Sequence, residues 1–271
     1  MSHLVVIRGA GELASAIAVR LFNVKVRVVC LEIATPLCVR TTISFASLLY
    51  SGDAKHIIEG VPAKLARSLS DVHPVVSSGN VALLVQPIIT SQLMETLKPI
   101  AIVDAMMTKK GNNGLNMDLA PLTIGLGPGF VAGTDCHYVI ETCRGHDLGR
   151  IIEKGSALPN TGVPGEIGSR TFERLLKAPV SGEVLPLKKI GDHCVIGEIV
   201  ATVGEQDVHS SCDGTIRGMI SDKTFVEAGV KIGDVDPRPN AHSFCFTITD
   251  KSRTISGSVL ELLVKQLLVF N

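Results

Sequence analysis

The chain has 271 residues, with 26 Lys and Arg against 26 Asp and Glu, eight Phe, two Tyr and no Trp. Zero formal charge, with no basic run longer than a pair such as Lys109 and Lys110, excludes a face that tracks phosphates, and so few aromatics exclude rows of stacking platforms. Nucleic acid is therefore not an expected partner. The length admits one large domain or two ordinary ones, and two are expected. The seven cysteines are odd in number and never spaced C-x-x-C, which reads as reduced, mostly buried thiols of a cytoplasmic protein, with no metal site expected. No apolar stretch reaches the ~18 residues that span a bilayer, and the opening run ends too early for a signal peptide core. No membrane partner is expected.

Leu4 to Ile7 reads as a buried parallel strand that opens into Gly9-Ala10-Gly11-Glu12-Leu13-Ala14, and Leu13, Ile17 and Leu21 then recur at helical spacing. In that context Gly9 makes a tight turn, Gly11 admits a phosphate at the helix N-terminus, and Ala14 allows close helix-to-strand packing. The next strand, Val26 to Leu31, ends at Glu32, at about the ~20-residue distance where an acid meets a ribose hydroxyl. The guest is an adenosine-containing ligand such as NAD, FAD or a nucleotide; a half-Rossmann scaffold without ligand is the alternative, and Glu12 in the turn counts against a pyrophosphate. Arg40 follows in a loop, facing an anion or solvent. Ser44 to Tyr50 reads as a short helix, Asp53 to Val61 and Val81 to Gln86 as strands, and Ser91 to Leu97 as a capped helix. Ile100 to Ala105 is a third parallel strand that brings Asp104 and Lys109 to the carboxyl edge, where open α/β sheets bind ligands.

Pro121 to Leu126 is a further strand and delivers Gly125 to Arg150, GLGPGFVAGTDCHYVIETCRGHDLGR, to the same edge. Gly125, Gly127 and Gly129 suit a loop whose amides face an anion, while His137, Glu141, Arg144 and His146 are candidate acid, base and clamp groups. The alternative is a Gly-rich turn and a half-buried strand with solvated charges. Gly149 to Glu153 reads as a strand, Pro159 to Gly168 as a loop presenting Glu166, and Ser169 to Lys177 as a short helix. Beyond it, Ala178 to Val184 and Ser210 to Ile216 repeat at an offset of 32 residues, each with a later Gly-acidic turn. Short strands between such turns resemble the barrel-sandwich fold of biotinyl and lipoyl carriers, but no lysine stands between Ile190 and Asp222 for a swinging arm. A docking module fits better. Phe244 to Ile248 reads as a strand and the C-terminal segment as an amphipathic helix.

The expected fold is thus an α/β Rossmann-like parallel-sheet domain over 1–174 with its ligand loop at 125–150, a small barrel-sandwich β domain over 175–250, and a helix over 251–271 packing back on the first domain.

Five segments together, IRGAGELAS (Ile7 to Ser15), the Gly125 to Arg150 stretch, PNTGVPGEIG (Pro159 to Gly168), KIGDVDPR (Lys231 to Arg238) and FTITDK (Phe246 to Lys251), resemble the YqeB-like accessory proteins of the selenium-dependent molybdenum hydroxylase system. The resemblance implies a cytoplasmic factor that handles or inserts molybdenum cofactor into a hydroxylase client, distantly similar to maturation factors of xanthine dehydrogenase. It assigns no catalytic residue. Its phosphate tail is the ligand that the Gly9–Gly11 and Gly125–Gly129 turns are expected to hold, with sulfur transfer through Cys136 or Cys143 as a minor route. The rivals are an NAD-dependent oxidoreductase using Gly9, Gly11 and Glu32, with His137 or Lys109 as acid or base, and a ligand-free scaffold for hydroxylase assembly. A small phosphate-bearing ligand is expected either way, and a homo-oligomer is left open. The turn GAGE departs from the GAGDLA common in that family.

Overall fold

A computed structural model describes residues 3–108 and 111–269. Nine strands form one sheet: β1 (Leu4–Arg8), β2 (Arg27–Glu32), β3 (His56–Ile58), β4 (Val61–Ala66), β5 (Val81–Val85), β6 (Ala101–Asp104), β7 (Thr123–Leu126), β8 (Tyr138–Ile140) and β9 (Ile151–Ile152). They lie in the order β3-β4-β5-β2-β1-β6-β7-β8-β9, parallel from β4 to β8 and antiparallel at both outer pairs. The central strands are continuously apolar because helices cover both faces. Alternate residues divide between two cores. Val5, Ile7, Val28, Leu83 and Val103 pack with Ile17 and Leu21 of α1 (Glu12–Asn23) and with Ile255, Val259 and Leu262 of α4 (Asp250–Val269). Val6, Val29, Leu84 and Ile102 pack with Val72 and Val76 of α2 (Val72–Ser77) and Leu93 and Leu97 of α3 (Ser91–Leu97).

Local chemistry sets the ends of these elements. Gly9 has φ +99°, and a Cβ there would meet the Ala105 carbonyl oxygen at 3.4 Å, so the turn from β1 into α1 needs glycine. The Thr90 hydroxyl accepts the Leu93 N–H at 3.2 Å and caps α3. The strand expected at Asp53 to Val61 is instead a hairpin, because Glu59 and Gly60 both take positive φ, 46° and 82°, and reverse the chain between β3 and β4. Where α4 meets α1, Arg20 Nε donates to Ser256 Oγ at 2.9 Å.

The remaining strands are β10 (Leu175–Lys177), β11 (Gly182–Pro186), β12 (His193–Cys194), β13 (Ile199–Val203), β14 (Gln206–His209), β15 (Gly214–Met219), β16 (Phe225–Val226) and β17 (Lys231–Asp236). They form two four-stranded antiparallel sheets, β10-β17-β15-β12 and β14-β13-β11-β16, around Val184, Val200, Val208, Ile216 and Val235. The fold expectation is corrected on both counts. The first sheet is mixed rather than parallel, and two antiparallel sheets replace the lipoyl-type barrel-sandwich. Regularly spaced Gly-acidic turns set strand length, not how sheets pair or close, so the repeat did not determine the architecture. The helix expected at Ser169 to Lys177 is absent: Ile167 and Arg170 bridge a tight turn, and Leu175 starts a strand paired to β17. The strand expected at Phe244 to Ile248 is replaced by a 3-10 helix at Ala241–Phe246, entered through the left-handed Asn240. That helix and Val39–Arg40 join the two halves: Met219 N donates to the Val39 carbonyl at 2.7 Å, and Arg40 Nη2 to the Phe244 carbonyl at 2.9 Å.

Within the large sheet, Arg8 and Asp104 stand opposite each other in the β1–β6 register and form an ion pair of 2.8 Å, both side chains buried. Burial raises the Asp104 carboxyl, and the Arg8 charge offsets part of that rise. Removing one member leaves the other charge buried and unpaired. Asp104→Ala is expected to cost about 3–5 kcal/mol, measured as a lowered denaturant midpoint with unchanged slope.

Candidate functional site

Beyond the carboxyl ends of β1, β6, β7 and β8 a cleft of about 770 Å³ opens between the large sheet and the β10–β17 sheet. The large sheet contributes Glu12, at the start of α1, and the residues after β8; the antiparallel sheet contributes Arg217 on β15 and Lys231 on β17. A smaller cleft of about 480 Å³ shares Arg144, Glu166 and Arg217 with it.

The floor is a buried cluster centred on Asp234. Its Oδ2 accepts from Arg217 Nη2 at 2.8 Å and Arg174 Nη1 at 3.1 Å, and its Oδ1 lies 3.7 Å from Lys231 Nζ. Asp236 is held by Arg238 at 2.6 Å and lies 3.5 Å from Arg217 Nη1. Arg40 Nη1 stands 3.7 Å from Glu12 Oε2. Glycine makes room for this arrangement. A Cβ on Gly218, opposite Asp234 in the register, would meet Asp234 Oδ1 at 2.4 Å, and one on Gly233 would meet the Gly218 carbonyl at 2.6 Å.

The cluster holds five cations, Arg40, Arg174, Arg217, Lys231 and Arg238, against three carboxylates, Glu12, Asp234 and Asp236, leaving two positive charges uncompensated. The rest of the lining balances: Arg144 pairs with Asp250 at 2.6 Å, and Lys177 and Lys251 match Glu141 and Glu166 in number. Burial alone would raise the Asp234 carboxyl, but Lys231, Arg217, Arg40 and Arg174 outweigh it and hold it below its ordinary value. Desolvation lowers Arg40, Arg174 and Lys231. Arg40 Nε and Nη1, Arg174 Nε and Arg217 Nε are buried without a hydrogen-bond partner. Unspent donors beside uncompensated positive charge are what an anion requires.

The structure disperses the residues singled out in the sequence. Glu32 accepts the Ala10 N–H at 2.7 Å and the Ile33 N–H at 2.9 Å, so the carboxylate placed for a ribose closes the glycine turn itself. Gly11 lies against Cys38, and Ala14 is buried in the α1 core. A Cβ on Gly125 would strike the Phe130 ring at 2.4 Å, and one on Gly127 would strike Thr142 Oγ1 at 2.4 Å; Gly129 has φ +108°. Gly125 and Gly127 thus admit the chain's own side chains. His137 Nδ1 accepts the Thr123 N–H at 3.1 Å away from the cleft, and His146 is exposed outside it. Asp104 is spent on Arg8, and Lys109 lies outside the described residues. Glu141 and Arg144 do line the cleft. Glu141 accepts the N–H groups of Thr142 and Cys143 at 2.6 Å each and of Leu158 at 2.7 Å, tying down the segment that continues to Ile167. Cys136 is buried, with its thiol pushed up to about 11 by desolvation, while Cys143 is exposed at the cleft. Sequence reasoning passed over Arg174, Arg217, Lys231 and Asp234; the signal present was KIGDVDPR, whose alternation puts Lys231 and the acids on a strand.

No family model matches the chain. Over 262 residues, 97% of its length, it is 42% identical to "Uncharacterized protein YqeB" of Escherichia coli (strain K12), and it spans 47% of that protein. The chain is similar to YqeB. It therefore covers about half the length of the curated relative it matches, and the likeness supports the YqeB-like resemblance alone. Among solved structures it is similar to an aspartoacylase family protein of Mesorhizobium loti (15% identity, TM-score 0.26, 86% of this chain and 84% of that one) and a succinylglutamate desuccinylase/aspartoacylase of Rhodobacter sphaeroides (13%, 0.29, 88% and 87%). Likeness at that level carries no functional argument.

Two functional expectations are corrected. Handling or insertion of molybdenum cofactor and NAD-dependent oxidation both needed the Gly9–Gly11 or Gly125–Gly129 turns as phosphate cradles, and Glu32, Phe130 and Thr142 occupy them. Among the described residues, no three His, Cys, Asp or Glu side chains converge on a metal position, and no helix is long and apolar enough to cross a membrane.

Two measurements check this site. Glu141→Ala leaves three amides without their acceptor; it is expected to cost about 1–3 kcal/mol and to speed limited proteolysis between residues 158 and 167. Asp234 and Asp236 have folded values below the ordinary 3.8, so their stabilisation is present above that value and is lost as pH falls through the folded values. Thermal unfolding of the wild type is expected to hold steady from neutral pH down to about pH 5 and then to decline, with a shallower decline in Asp236→Asn.

Proposed function

We propose that the cleft binds a small anionic metabolite, carrying phosphate or carboxylate, between the carboxyl edge of the large sheet and the β10–β17 sheet. The observation that carries this reading is the excess of five cations, three of them buried, over three carboxylates, with guanidinium N–H groups left unpartnered. Arg217 and Arg174 hold the floor rigid through Asp234, and Lys231, half-exposed, is the cation that reaches the ligand. Arg144, fixed by Asp250, supports the rim. The volume of about 770 Å³ matches a metabolite rather than a macromolecule. The anion here meets side-chain cations at the sheet junction, not the backbone amides of a glycine turn.

Isothermal titration with inorganic phosphate, citrate and a sugar phosphate tests the reading. At least one is expected to bind, more weakly at high salt, and Lys231→Met to weaken it about tenfold, or about 1.4 kcal/mol. Lys188→Met, which removes a lysine paired to Glu198 away from the cleft, is expected to leave binding unchanged. Absence of binding by all three anions to folded protein would overturn the reading.

A further inference from the structure

We infer that Lys231 is a reactive amine that forms an imine with an anionic carbonyl compound bound in this cleft. The inference rests on the anion-binding reading above and names the class of ligand: a carbonyl carbon next to a carboxylate or phosphate.

Three features of the site distinguish this lysine. It lines the cleft with its side chain 38% exposed, so a ligand can reach Nζ, while its stem is held on β17. Its nearest carboxylate oxygen, Asp234 Oδ1, is 3.7 Å away and engages no hydrogen bond, whereas Asp234 Oδ2 is taken by both guanidiniums. The ammonium thus shares a carboxylate already committed to two other cations. Among the described residues Lys231 has that one ion pair and no hydrogen bond to fix the direction of its lone pair. Burial, offset in part by Asp234 and reinforced by Arg174 and Arg217, holds the amine below the ordinary lysine value. A lysine desolvated beside other cations is the arrangement that activates an amine toward carbonyls.

The chemistry closes with the groups present. The neutral Lys231 amine attacks the carbonyl carbon, a C–N bond forms, and the carbonyl π pair moves to oxygen. Glu12, which lines the same cleft and whose charge acts on Lys231, takes the proton from nitrogen and returns it to that oxygen. A proton from solvent then joins the hydroxyl, the C–O bond breaks with loss of water, and the nitrogen lone pair closes the C=N bond of the iminium. Nothing is oxidised or reduced. The neighbouring cations hold the ligand's anionic group, so the site is selective for charged carbonyls.

The test is reductive trapping of the full chain at neutral pH with sodium cyanoborohydride, followed by peptide mass spectrometry. The probes are glyoxylate for the carboxylate class, glyceraldehyde 3-phosphate for the phosphate class, and propanal as a neutral aldehyde. Lys231 is expected to take a single reduced adduct from one or both anionic probes at least about tenfold faster than exposed lysines such as Lys189, with no such preference for propanal. Lys231→Arg is expected to abolish that adduct, whereas Lys188→Met, away from the cleft, is expected to leave both the adduct and phosphate binding unchanged. Labelling spread evenly over surface lysines, or equal labelling by propanal, overturns the inference. Phosphate binding without Lys231 labelling overturns this inference alone, whereas loss of all anion binding in the wild type overturns the reading on which it rests.

Discussion

Asp234 is the group on which the rest of the site depends. It stands on β17 with Arg217 beside it on β15 and Arg174 entering β10, and one carboxylate oxygen serves both guanidiniums. Burying that carboxylate without its partners would be costly, and burying the cations without it more so. The two strands therefore meet only in the register that brings Gly218 opposite Asp234, where a Cβ has no room. A packing constraint and an electrostatic one select the same geometry. The result is a rigid floor with more positive charge than its own acids neutralise.

The same floor connects the two halves of the molecule. Arg40 belongs to the connection after β2, yet it donates to the Phe244 carbonyl, and the chain beside it bonds to Met219 on β15. Glu12, at the head of α1, faces this arginine and accepts from Ser252 of α4 at 3.3 Å. Glu59, from the β3–β4 hairpin, accepts the Ile248 N–H at 2.9 Å and pairs with Arg253. A ligand in the cleft would touch both halves, so binding and the stiffness of their junction are coupled.

The two glycine-rich turns show how one local pattern can serve different ends. Strand, glycine turn and helix form over Leu4–Asn23 as the pattern requires, and Glu32 stands at the spacing of a ribose ligand. In the folded chain that carboxylate bonds back to Ala10 and Ile33, and burial raises it despite both amide bonds. Gly125 and Gly127 likewise sit where Phe130 and Thr142 need space. Glycine reports that something comes close to the backbone; it does not report whether the visitor is a ligand or the protein's own side chain.

What the sequence determined by itself was local. The runs at Leu4–Arg8, Val81–Val85 and Ala101–Asp104 declared buried strands because both faces of the sheet are covered, and Thr90 declared the start of α3 because a hydroxyl satisfies an otherwise orphaned amide. Glu141 and Arg144 were visible as unusual polar density and do reach the cleft, though Glu141 is spent on backbone amides. Tertiary structure alone decided the site. Arg40, Arg174, Arg217 and Lys231 are far apart in the chain and individually ordinary, and only strand pairing across β10, β15 and β17 brings three of them to one carboxylate. Charge and periodicity are read along a chain, whereas an excess of buried charge exists only once distant strands have met in register.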